Sequence, residues 1–85
     1  LYFSDQNNNR IRRIDLNSGI ISTIIGNGSL LSAPDGSFGN ETGINQPNGI
    51  ALDLNNNFLY YSEPNIHVIR RLDFNSMQVF TIVGQ

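Results

Sequence analysis

The chain has no cysteine, so neither a disulfide nor a cysteine-based metal site can support it. At 85 residues it is at most one small domain, where a single core is marginal without such staples. Lysine is absent too. Charged residues make up 14% of the sequence and the formal net charge is −2. A nucleic-acid footprint needs a basic face, and five arginines against seven acids hold a phosphate backbone poorly. No nucleic-acid partner is expected. No apolar run approaches the ~18 residues of a membrane span, so membrane insertion is not expected either. His67 is the single histidine, and a zinc site takes three or four ligands, so neither metal nor cofactor is expected. The many serines lack the acid–His–Ser set that would mark a nucleophile. The sequence does not begin with Met, and it reads as a mature product or as an internal slice of a longer protein.

Asparagine, in contrast, is common, with runs at Asn7-Asn8-Asn9 and Asn55-Asn56-Asn57. It suits turns, because it tolerates positive φ and hydrogen-bonds its own backbone. The dominant feature is a repeat. Shifting the sequence by 58 residues lays Leu1-Tyr2-Phe3-Ser4-Asp5 on Leu59-Tyr60-Tyr61-Ser62-Glu63. The same shift lays Ile11-Arg12-Arg13-Ile14-Asp15 on Ile69-Arg70-Arg71-Leu72-Asp73, and Thr23-Ile24-Ile25-Gly26 on Thr81-Ile82-Val83-Gly84. Thirteen of 27 positions are identical without a gap. A period of tens of residues implies a stacked or radial architecture.

Strand composition recurs throughout. Residues 1–4, 10–16 and 20–25 predict three strands joined by the turns at 5–9 and 17–19. Ile11 and Ile14 break clean alternation, which suits a strand covered on both faces or one carrying a bulge. Residues 49–54, 58–62, 67–73 and 78–83 predict four more strands, and no helix is predicted. The first unit thus reads as the second without its opening strand. Residues 27–48 form a Gly- and Pro-containing loop between them, and a loop of that length is usually functional or held by a partner.

Four short antiparallel strands, repeated, describe a propeller blade. The run Pro47-Asn48-Gly49-Ile50-Ala51-Leu52-Asp53, then Leu59-Tyr60-Tyr61-Ser62-Glu63, Ile69-Arg70-Arg71-Leu72-Asp73 and Thr81-Ile82-Val83-Gly84 resembles the NHL repeat. Residues 1–26 match the same pattern from its second element on. Asp35-Gly36 and Phe38-Gly39, ahead of Gln46-Pro47, add a family-like loop feature. Glu63 for the usual Asp, Pro64 after it, and Met77 in place of the turn glycine seen at Gly19 are departures. The resemblance implies an all-β fold of about two NHL-type blades, open unless further blades or copies complete it. The blades are residues 1–26 and residues 49–85, with 27–48 between them. It does not imply one function, since the family includes protein-binding, RNA-binding and catalytic platforms. The family's lyase activity on amidated-peptide precursors uses a metal, and its residues cannot be carried over here.

A blade has two apolar faces, for which Phe3, Ile14, Ile21, Ile24, Tyr60, Leu72 and Ile82 are candidates. Two blades bury one interface and leave two raw faces. Further blades of a longer chain, or copies of this one, are therefore the expected partners. Asp5 with Arg12-Arg13, and Glu63 with Arg70-Arg71, recur in register and read as structural carboxylate–guanidinium pairs. Asp53-Leu54-Asn55-Asn56-Asn57 opens like a calcium loop. The required glycine is Phe58 and the closing acid is Pro64, so it reads as a strand turn. Asn27-Gly28-Ser29 and Asn40-Glu41-Thr42 are candidate N-glycosylation sequons on a displayed loop. The sequence-based expectation is a non-enzymatic structural or interaction module, stacked into an extracellular or cell-surface filament or scaffold. The alternative is a ligand- or protein-binding segment of a closed propeller in a larger signalling or enzymatic protein.

Overall fold

The computed structural model describes residues 1–84 and contains two antiparallel sheets. The first holds β1 (Tyr2–Asp5), β2 (Arg10–Ile14) and β3 (Ile21–Ile25) in that order. The second holds β4 (Ile50–Asp53), β5 (Phe58–Glu63), β6 (Val68–Asp73) and β7 (Gln78–Val83). Neighbouring strands are joined by short turns, as antiparallel meanders require. The two sheets are the two units of the repeat, and the seven strands lie where sequence composition predicts them, within a residue or two at their ends.

The unpredicted elements are three single 3₁₀ turns, Gln6–Asn8, Gly39–Glu41 and Pro64–Ile66. The first and last occupy equivalent positions and end alike. Asn9 and His67 both adopt the left-handed conformation, at φ 56 and ψ 47 and at φ 56 and ψ 48. A bulge also repeats, between Ile11 and Arg12 and between Ile69 and Arg70. It accounts for the broken alternation of β2, because a bulge inserts one residue and shifts the side-chain phase.

On β5, Leu59, Tyr61 and Glu63 are buried and their neighbours are not, the period of a strand with one covered face. Leu59 pairs with Leu72, which pairs with Val79, so the covered row runs straight across the sheet. The core is built from this row together with Ile11 and Ile25 of the first sheet and Ile44 of the connecting segment. Tyr2 packs against the same core and sits 5.4 Å from the Phe74 ring, centre to centre. The blades therefore meet face to face. Of the residues expected on blade faces, Leu72 is fully buried and Ile24 packs on the core. Phe3, Ile14 and Tyr60 are half-buried. Ile21 and Ile82 stay exposed, on faces that nothing in this chain covers.

The segment 27–48 is displayed over residues 27–32 and at Asn40 and Glu41, and is docked elsewhere. Gly39, Thr42, Gly43, Ile44 and Pro47 are buried. Residues 36–39 run along the free edge of β7. Gly36 N–H donates to Val79 O at 2.8 Å, Val79 N–H to Ser37 O at 2.9 Å, and Gly39 N–H to Met77 O at 2.9 Å. Gly26 N–H, leaving β3, donates to Gly39 O at 2.9 Å. The segment thus ties the outer strands of both blades together. Its unpaired backbone groups and Ile44 gain more by docking than by solvation. Gly39 is required here, since a Cβ would come within 2.8 Å of Ile24 O.

Candidate interaction surface

The repeated carboxylate–arginine positions behave differently in the two blades. In the second blade, Glu63 is fully buried and accepts Arg70 Nε at 2.5 Å. Its other oxygen accepts Asn45 N–H from the connecting segment at 2.8 Å. Arg70 also donates to Thr81 Oγ1 on β7 at 2.5 Å and to Ser32 Oγ at 2.7 Å. Asp35 approaches Arg70 at 3.9 Å and accepts both the backbone and the hydroxyl of Thr81. Arg70 thereby connects β5, β7 and the connecting segment through one planar fork of donors. In the first blade, Arg12 Nε reaches Asp5 at 3.0 Å, but both side chains are about a quarter exposed. Asp5 is held additionally by Asn8 Nδ2.

Arg13 and Arg71 do not share in these pairs. Strand side chains alternate, so each points to the face opposite its arginine neighbour. Arg13 is exposed, and the Arg71 guanidinium lies 4.3 Å from the centre of the Phe58 ring. Alternation alone could have separated these residues, since Asp5 shares a face with Arg12 once the hairpin register is known. Ser32 and Asn45 carried no comparable signal, because they join Arg70 and Glu63 respectively only through the fold of the segment.

Beside this cluster Tyr61 is buried, and its hydroxyl has no hydrogen-bond partner among the described residues. Burial pushes its phenol well above the ordinary value, and the neighbouring Glu63 carboxylate adds to the effect. The equivalent residue in the first blade is Phe3.

The calcium-like run is a strand turn. The Asp53 carboxylate accepts Asn56 Nδ2 at 2.8 Å and Asn56 N–H at 3.3 Å, and these bonds hold its pKa below the ordinary carboxylate value. Asp15 is lowered in the same way by Asn17 N–H and then Ser18 N–H. Among the described residues no group of three or more His, Asp or Glu gathers in metal-binding geometry. Both sequon asparagines, Asn27 and Asn40, are exposed, and Asn27 Nδ2 donates to Glu41 O at 3.3 Å.

The contact between blades carries polar bonds at its rim. Ser4 Oγ donates to Asn48 O at 2.7 Å, and Gln46 N–H donates to Asn9 Oδ1 at 3.0 Å. On the outer face of the second blade, Ile69, Ile82 and Val83 are 40%, 44% and 56% exposed. On the outer face of the first, Leu1 and Ile21 are 68% and 52% exposed. Both sheet faces thus present exposed apolar side chains.

No family profile matches the chain. Among curated proteins, NHL repeat-containing protein 2 of Homo sapiens is 29% identical over 79 residues, and that of Bos taurus is 30% identical over 79 residues. Each alignment covers 93% of this chain, which spans only 11% of the length of either relative. The 58-residue repeat, the two meander sheets and this similarity together fit NHL-type β-propeller blades.

Proposed function

We propose that the chain is a non-enzymatic interaction module that packs its two open blade faces against further blades. The single observation that carries this reading is the contrast within the repeat. Ile11 and Ile25 are fully buried between the blades, while Ile69 and Val83, one repeat later, are 40% and 56% exposed. The same surface is used once inside the chain and left open once. Uncovered apolar sheet faces favour association. In a solution of this chain alone, the occupant would be the Leu1 and Ile21 face of a second copy. Such head-to-tail contacts close into a ring or continue as a filament, according to the rotation between copies. Two exposed sequons favour an extracellular or cell-surface setting for such an assembly.

Sedimentation across a concentration series, with electron microscopy of the same samples, tests the reading. The expected result is concentration-dependent association that Ile69→Glu abolishes while the circular dichroism of the sheets is retained. A monomer at every concentration would sink self-assembly. The length of the curated relatives favours a second reading, in which the chain is one segment of a larger closed propeller that binds a ligand or protein. Compact discs rather than filaments, seen in material from the native source, would support it.

A further inference from the structure

The contact between the two blades is written almost completely a second time on the outer face of the second blade. On the first blade it is made by Tyr2, Ser4, Asn9, Ile11 and Ile25. One repeat later these positions are Tyr60, Ser62, His67, Ile69 and Val83. Tyrosine, serine and the first isoleucine are kept, and Val83 differs from Ile25 by one methylene. The one chemical change is His67 for Asn9. Both residues follow a 3₁₀ turn with the same left-handed backbone, and each donates its N–H back to the start of that turn, at 3.3 Å and 3.2 Å. Ser62 Oγ accepts Gly49 N–H at 3.0 Å, which leaves its proton free to donate as Ser4 does.

We propose that this outer face takes a further blade of the same type together with its own connecting loop, and that His67 Nδ1 accepts the loop N–H that Asn9 Oδ1 accepts within the chain. The proposal rests on the blade-packing reading above and adds a partner and a recognition atom to it. Asn Oδ1 and His Nδ1 sit at the same branch of their side chains, so one backbone donor can reach either. Only the neutral imidazole has a lone pair to offer. Docking is therefore strongest with His67 uncharged and weakens as acid protonates the ring.

The charges around this position leave the histidine in control. Within its own blade, Glu63 and Arg70 are committed to each other, and Val68 stands where Arg10 flanks Asn9. On the same sheet face, Asp53, Arg71 and Asp73 lie toward the opposite end, beside Phe58. The incoming loop, judged by residues 43–49 of this chain, brings no ionisable side chain, and the Glu63 carboxylate of the incoming blade, which accepts the neighbouring Asn45 N–H, is paired with its own Arg70.

The test is a tandem chain in which residues 1–84 are followed by a second copy of residues 27–85, preserving the repeat period. Amide hydrogen exchange, corrected for intrinsic rates, is read at the added copy of Gln46 at pH 8 and pH 5, which span the range where histidine changes charge. The expected result is protection at pH 8 that falls roughly tenfold at pH 5, the scale of one hydrogen bond. The His67→Asn tandem should keep its protection at both. Equal pH dependence in the two tandems would overturn the role of His67 while leaving blade packing intact. Strand amides of the added blade that exchange freely at both pH values, in both tandems, would overturn blade packing itself.

Discussion

The Glu63 carboxylate accepts Arg70 Nε at 2.5 Å with no exposure to solvent, whereas the same pair one repeat earlier, Asp5 and Arg12, is about a quarter exposed at 3.0 Å. One chain thus carries the same interaction in two dielectric settings. Removing one partner of a buried pair leaves an uncompensated charge and costs about 3–5 kcal/mol. Exposed pairs are worth about 0–1 kcal/mol, because water screens them and ordering the side chains costs entropy. Arg70→Ala is therefore expected to lower unfolding stability several-fold more than Arg12→Ala, as measured by urea denaturation. Equal losses would mean that burial does not distinguish the pairs. Glu63→Asp should also loosen the connecting segment, since the shorter side chain cannot hold both Arg70 and Asn45 N–H.

Tyr61 and Phe3 occupy equivalent positions, and only the tyrosine carries a hydroxyl without a partner. Tyr61→Phe is expected to be neutral or to stabilise by up to about 1 kcal/mol, since it removes a buried unsatisfied group without leaving a cavity. The sign of the pH effect follows from the raised phenol pKa. A folded-state value above the unfolded value near 10 gives stability that is full below about pH 10 and lost as pH rises further. Alkaline unfolding followed by tyrosine absorbance should therefore shift to higher pH in the phenylalanine variant. An unchanged alkaline midpoint would count against this account.

Met77 takes φ 58 at the position where the first blade has Gly19 at φ 75, and both turns close on an aspartate carbonyl, at 2.6 Å and 2.7 Å. A residue with a Cβ costs about 1–2 kcal/mol in the left-handed region. Met77→Gly should relieve most of that cost. The expected gain is about 1 kcal/mol, or about 4–8 °C in Tm for a chain of this size. A calorimetric scan checks it, and a lower Tm would show that the contacts of the Met77 side chain outweigh the backbone.

Asp15 and Asp53 both have folded-state pKa values below the ordinary 3.8, held there by turn hydrogen bonds. Their contribution is present above that value and fades as pH falls through the depressed folded-state values. The double variant Asp15→Asn with Asp53→Asn keeps an acceptor oxygen at each turn but removes the proton linkage. Its stability should fall less steeply between pH 5 and pH 2 than that of the parent, and parallel curves would exclude these turns as the source.

The repeat and the number and order of the strands were legible in the sequence, where the bulge in β2 stood as one of two readings. All of these depend on local composition and on a period that one chain displays against itself. The fold decided how deeply each carboxylate–arginine pair is buried, and that residues 36–39 of the Gly-rich segment dock along β7. It also decided that Asn9 and His67 sit at equivalent rims of two like faces, one covered and one open. Burial is a property of what lies across an interface, contributed by residues such as Ile44 and Asn45 that are far away in sequence. No periodicity in the chain records it.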